Sequence, residues 1–424
     1  MRMMKCSILA AATLALASGV AHSEVTLSVL IDNNVESISA FEAASEAYME
    51  KHPDVTFDVE LRPGGSEGDN IVKTRLATGE MADIFQYNTG SLFQALKPEQ
   101  TMADVTDLPS QANVLDSFKS VVKDGGGKLR GIPFGPAMAG GIFYSRPIYA
   151  ELGLTPPKTW AEFMANNEKI KAAGKVALAQ TYGTTWTSQL MILGDFHNVQ
   201  AEVPNFAADY TANKAKYATT PAALRGFEHL EEVAKAGIFN ADFGAATYEE
   251  GMHMVAAGEA AHYPTITSGL GSVRENYPDL LNNLGFFGQP GIDASKNGLT
   301  VWMPAALYIS SKSDHAEEAK KFVDWMGTKE ACKIMAKVVP SGPYLIKDCQ
   351  LPADIPPAVA DMLPYFQTEG RATPALEFLS PVKGPALEQI TVEVGTGIRP
   401  AKEAAALYDQ DVQKQAKQLG LPNW

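Results

Sequence analysis

Three β-type runs alternating with two helical ones occupy residues 25–87, and that alternation leaves few folds open. Val25 to Ile31 is β-branched and apolar and ends at the turn residues Asp32, Asn33 and Asn34. Ser39 to His52 carries Phe41, Ala44, Ser45 and Tyr48 at helical spacing, and Pro53-Asp54 stops it. Val55 to Leu61 alternates as a second strand, Arg62 to Asp69 is a glycine-rich loop, and Ile71 to Thr78 suits a helix closed by Gly79. Ile84 to Tyr87 is a third strand. Strand, helix, strand, helix, strand with short connections predicts an open, mostly parallel α/β sheet. Ligands of such sheets lie beyond the carboxyl ends of the strands.

Those ends are Asn33 to Glu36, Gly64 to Asp69 and Asn88 to Ser91. All three are small, polar or glycine-rich. One such loop is as readily a solvated turn as a site; three on one edge favour a site for a hydroxylated ligand.

The first residues bear on compartment. Arg2 and Lys5 precede an apolar run from Ile8 to Ala17, and Ala21-His22-Ser23 comes before Glu24. A basic start, a short apolar core and small residues at minus three and minus one predict a secretory signal over 1–23, cleaved after Ser23. The run is too short to span a bilayer. Cys6 precedes it, which argues against a lipid anchor. Removing 23 residues with their two cations leaves 401 and moves the formal charge from −14 to −16. That acidity argues against nucleic acid, which rewards a basic face. A periplasmic monomer needing no cofactor is expected. Cys332 and Cys349 remain, bonded or free.

Further on, Leu129 to Phe134 and Ile142 to Tyr144 read as strands, with the small-residue stretch Gly135 to Gly141, including Met138, between them. Thr159 and Glu162 fit a capping box. Gly127-Lys128-Leu129-Arg130-Gly131-Ile132-Pro133-Phe134 resembles the "GKLYGIPY" run of the bacterial extracellular solute-binding proteins that serve carbohydrate ABC importers. Phe143-Tyr144-Ser145-Arg146 is similar to their "YYNK", and Pro156-Pro157-Lys158-Thr159-Trp160-Ala161-Glu162-Phe163 to "PPKTWDEF". Gly258-Glu259-Ala260-Ala261, Glu318 to Val323 and Ser341-Gly342-Pro343 resemble three later motifs in the same order. No single match is specific, but six in order are.

The resemblance implies two α/β lobes joined by crossover strands, with a ligand cleft between them and closure by hinge motion. One lobe is expected at 24–134 plus 300–342, the other at 135–299 plus 343–424. It also implies a sugar ligand and a membrane permease partner with a separate ATPase. Sugars need planar polar groups for their hydroxyls and flat rings for their C–H faces. On the first lobe the expected contacts are Tyr87, Asn88 and Thr89, with Gly65, Ser66, Glu67, Asn33, Asn34 and Glu36 beside them. On the second, Trp186 and Gln189 lie in a stretch resembling a Trp-Thr-x-Gln segment of monosaccharide binders. Trp186 is read there as a stacking platform, with core packing as the alternative. Trp302 stands near a crossover under the same two readings, and Met138 joins the expected contacts. Arg371 falls where some relatives place a cation, or on a solvated turn. Where many relatives carry a Gly-x-Trp, this chain has His262 to Gly269, so Tyr263, Thr265 or Thr267 would replace that ring. Trp160 and Trp325 are expected in cores.

Two rival readings stand. Gly64-Gly65-Ser66-Glu67-Gly68 fits G-x-S-x-G between a strand and a helix, so Ser66 could be a hydrolase nucleophile, although only one strand and helix precede it. A non-sugar solute is the other: Glu36 and Glu67 would suit a polyamine, Arg371 and Lys73 a polyol phosphate. No Walker A motif, zinc-type H-E-x-x-H or full G-x-G-x-x-G occurs in the sequence. Any ATP hydrolysis belongs to a partner.

Overall fold

The computed structural model describes residues 25–424; the expected signal segment and its cleavage site lie outside them. Among these residues the strands are β1 (Val25–Asp32), β2 (Val55–Arg62), β3 (Ile84–Tyr87), β4 (Gly131–Phe134), β5 (Met138–Ser145), β6 (Val176–Leu178), β7 (Ala260–Ile266), β8 (Leu284–Gly288), β9 (Leu299–Trp302), β10 (Ala305–Ile309) and β11 (Ala372–Pro374). They form two sheets. The first runs β2-β1-β3-β10-β4, with β1 parallel to β2 and β3, and β10 antiparallel to β3 and β4. The second runs β11-β9-β5-β7-β6, with β8 also paired to β5. Each sheet has its own apolar core, so the chain has two lobes. No helix among the described residues is long and apolar enough to cross a membrane.

The lobes are joined where β4 passes into β5, where β9 passes into β10, and between Cys349 and the helix Pro357–Gln367. The expected boundaries need two corrections. Leu299–Trp302 belongs to the second sheet, because it pairs with β5 and β11, so that division falls after Trp302 rather than at 300. Residues 344–349 stay with the first lobe: Leu345 accepts a hydrogen bond from Leu115 N, and Tyr344 and Ile346 are buried in the first core.

Local chemistry places the elements that matter for the cleft. Helix α1 (Val35–Met49) starts at Asn34, whose Oδ1 accepts from Ser37 N at 2.9 Å. Helix α2 (Gly65–Thr78) starts six residues before the sequence reading. Gly68 lets it do so: a Cβ there would lie 1.8 Å from the Pro63 carbonyl and 2.5 Å from Arg62 Nη1, so a buried guanidinium fills the space a side chain would take. Thr159 and Glu162 form the capping box expected of them. Trp160 is 7% exposed and stacks on His229, and Trp325 packs against the first core.

Cys332 and Cys349 are bonded, across a separation of 17 residues. Their bond ties the helix Lys329–Val338 to the return of a loop whose tip, Ser341–Pro343, touches the β4–β5 crossover: Ala137 N donates to the Pro343 carbonyl at 2.8 Å. In the chain-entropy account a loop of this length is worth on the order of 3 kcal/mol. Intact protein should therefore weigh two hydrogens less than its reduced form, and Cys332→Ala/Cys349→Ala should melt several degrees lower. Two free thiols in protein taken from an oxidising compartment would contradict the bond.

Candidate functional site in the interlobe cleft

The carboxyl ends of β1, β2 and β3 face the second lobe. Their floor is a buried ionic group. Asp32 and Arg62 end neighbouring parallel strands in register, and Asp32 Oδ1 lies 2.8 Å from Arg62 Nη2. The guanidinium is 2% exposed, donates to the carbonyls of Pro63 and Gln86 at 3.2 and 3.3 Å, and sits 5.5 Å from the Tyr87 ring centroid. Burial pushes the Asp32 carboxyl up to about 6, with Arg62 pulling it down and Asp69 pushing it further up. Above this floor the side chains of Asn33, Ser66, Glu67 and Asn88 are exposed.

The second lobe meets that edge in three places. At Gly64 and Gly65, in the turn that follows the strand farthest from the crossovers, a Cβ would lie 3.7 Å from Trp186 Nε1 and 3.4 Å from Trp186 Cδ1 respectively. Trp186 in turn leans on Tyr248, 4.9 Å between centroids, and its neighbour Thr185 donates to Glu388 Oε2 at 3.0 Å. At Gly90 the Glu377 carbonyl comes within 2.4 Å of where a Cβ would be. At Glu36 the contact is Gly271, with a Cβ position 2.3 Å from Glu36 Cγ. The lobes are thus closed on each other, with Trp186 at the rim.

Several expected contacts are engaged otherwise. Asn34 spends its side-chain oxygen on the α1 cap. Thr89 is 3% exposed and donates to the Pro304 carbonyl at 3.3 Å, bracing a crossover. Thr267 Oγ1 accepts from Ala139 N at 3.1 Å, and Thr265 and Tyr263 are buried within β7, the latter with its hydroxyl 2.6 Å from Thr181 Oγ1. Tyr263 therefore does not stand in for the missing tryptophan of the relatives; Tyr248, which sequence reasoning passed over, lies beside Trp186 instead. Tyr87 is fully buried beneath the Arg62 guanidinium, so it offers no open stacking face. Gln189 is 6% exposed. Met138 is part-buried at the cleft end of β5, opposite Trp302, whose ring lies across Gly140 and is 8% exposed. Arg371 is not brought to the cleft: it precedes β11, at the end away from the crossover, and its guanidinium donates to the Asn297 carbonyl.

The hydrolase reading of Ser66 also fails locally. Ser66 lies exposed in the first turn of α2, and the histidine rings with hydrogen bonds among the described residues, His197 and His262, are buried in the second lobe.

Residues 32–332 match the family described as bacterial extracellular solute-binding proteins. The chain belongs to that family. It is similar to a multiple sugar-binding protein of Streptococcus mutans, 27% identical over 273 residues, which are 62% of this chain and 62% of that protein. The match thus spans somewhat under two thirds of that relative's length. A melibiose/raffinose/stachyose-binding protein of Bacillus subtilis is 22% identical over 321 residues, 71% of this chain and 70% of the relative. Among solved structures, a chitin oligosaccharide binding protein superposes with a TM-score of 0.81 at 20% identity, covering 93% of this chain and 99% of that one. That likeness shows the fold: two lobes of a solute-binding protein around a cleft.

Proposed function

We propose that this solute-binding protein is an exported sugar receptor that closes its lobes on a carbohydrate and hands it to an ABC permease driven by a separate ATPase. The observation that carries the reading is Trp186, held at the rim by Tyr248 and facing a strand edge of exposed amide, hydroxyl and carboxyl groups. A flat ring opposite hydrogen-bonding groups matches the two faces of a sugar. The relatives' names, with several sugars among them, support the same ligand class. The chain acts by binding, and transport energy comes from its partner.

Each non-sugar alternative loses one of its two residues. Glu36 is occupied against Gly271, and burial pushes its carboxyl up to about 8, so it offers no fixed charge to a polyamine at neutral pH. Arg371 lies off the cleft, which removes it as an anion contact.

Intrinsic tryptophan fluorescence should respond to at least one member of a panel of galactose, melibiose, raffinose, stachyose and chitin oligosaccharides. The responding sugar should reduce the radius of gyration in small-angle scattering. Response to spermidine or glycerol phosphate, with silence towards every sugar, overturns the reading.

A further inference from the structure

The contact at Glu36 joins elements that share no core. Helix α1 belongs to the first lobe, through Phe41, Ala44 and Tyr48. The helix Leu270–Asn276 belongs to the second, through Leu270 and Val273. Glu36, in the first turn of α1, reaches across and lays its Cγ and carboxyl on Gly271, where a Cβ would sit 2.3 Å from Cγ and 3.1 Å from Oε1. Its carboxyl also lies near Ser341, at the tip of the disulfide-closed loop, whose buried hydroxyl has no hydrogen-bond partner among the described residues. One turn further on, Arg274 donates back across the same divide, to the Val338 and Lys337 carbonyls at 3.2 and 3.1 Å. These carbonyls end the helix Lys329–Val338 of the first lobe, where cations are favoured.

We propose that Glu36 is a positioning residue for closure: seated on Gly271, it clasps the lobes together, so that part of the ligand affinity is set by a contact between the lobes themselves. A side chain at 271 would displace it, which explains glycine there without any unusual backbone angle. The clasp also couples closure to protons. Burial pushes the Glu36 carboxyl up to about 8, while the polar groups of Ser341 and Gly271 nearby and the charge of Arg274 pull it down. Tyr248 from the second lobe and Tyr344 from the first are the other titratable groups facing it, and burial raises both well above their usual value, so they stay neutral through this range. With the lobes apart, Glu36 is hydrated and returns towards the usual 4.5. A group raised on closing favours the closed form below its open-state value. That preference fades as pH climbs through the window from about 4.5 to about 8, and is flat above it.

The test reads lobe closure without any ligand, so its failure and the failure of the sugar reading are separable. Spin labels at Lys73→Cys and Glu249→Cys, both exposed and on opposite lobes, give the distribution of interlobe distances by pulsed electron resonance in protein starting at Glu24; Cys332 and Cys349 are bonded and stay unlabelled. In the parent the ratio of closed to open distances should rise as pH falls from 8.5 to 6, by up to about tenfold per unit. Glu36→Gln keeps a neutral hydrogen-bonding head and should hold the low-pH ratio at every pH. Gly271→Ala should deplete the closed distance at least about tenfold, and adding Glu36→Ala to it should give the same distribution as Glu36→Ala alone, because the clash is then gone. A parent indifferent to pH, a Glu36→Gln variant that keeps the parent's slope, or a Gly271→Ala distribution like the parent's overturns the clasp.

Discussion

Trp186→Ala should weaken sugar binding by roughly 30- to 1,000-fold while barely moving the melting temperature of the ligand-free protein. The magnitude follows from the position. An aromatic anchor truncated inside a water-excluded interface loses on the order of 2–4 kcal/mol, which is the quoted range in affinity. The ring is only partly buried, lies at the edge of the second lobe's cores, and touches the first lobe at Gly64 and Gly65. Its contact with Tyr248 at 4.9 Å survives opening, but a rim side chain fills no closed cavity, so truncation leaves little void. Trp186→Phe should retain most of the binding, since it keeps a flat face. Titration calorimetry with the responding sugar, paired with melting curves of the ligand-free variants, separates the outcomes. Early melting with unimpaired binding would return Trp186 to the core.

The second large effect is expected at Arg62. Removing one member of a buried ion pair leaves the other charge without compensation, at a cost of about 3–5 kcal/mol. Arg62→Met should therefore lower the melting transition of the first lobe by roughly 10 °C. The guanidinium also spaces β2 from α2, because its Nη1 occupies the volume that Gly68 vacates, so the Gly64-Gly65 turn should lose its fixed seat opposite Trp186. Asp32→Asn added to Arg62→Met should recover most of the stability, because a neutral amide needs no counter-charge. The double variant should nevertheless bind more weakly than the parent, with the turn left unsupported. Calorimetric melting of all three proteins tests the pair. An Arg62→Met variant as stable as the parent would show that the Asp32 carboxyl needs no partner.

The parallel start of the first sheet was legible because β1, β2 and β3 are bounded by turn residues and packed by apolar runs; their observed ends differ from the sequence reading by a residue or less. The capping box at Thr159 and the core role of Trp160 were legible for the same local reason. The start of α2 was not. Gly65, Ser66 and Gly68 are poor helix formers, and only the buried Arg62 beneath them, a tertiary fact, explains their place in a helix. The cleft was half legible. Strand-end loops were identified from topology, and Trp186 from its motif, but Asn34, Thr89 and Thr267 were assigned to a ligand when their side chains hold a cap, a crossover and a strand. A polar residue near a site looks the same in sequence whether it faces outward or inward. Tyr248 could have been found: it follows a second capping box, Thr247 with Glu250, which places it at the first turn of a helix. Gly271 could not, since nothing local distinguishes it from other glycines.

The strand order of the first sheet sets how little the molecule must move to open. β2 lies four strands from β4, and with strands about 4.8 Å apart the Gly64-Gly65 turn stands roughly 19 Å from the β4 crossover. On a lever of that length, a rotation of about 15° parts the rim by about 5 Å, enough to admit a pyranose ring edge-on, while residues beside the pivot shift by a fraction of that distance. Neither core has to repack. The molecule can therefore exchange its cargo at the speed of a rigid-body swing rather than of a rearrangement, and the tip of the lever is where a single aromatic ring has been placed.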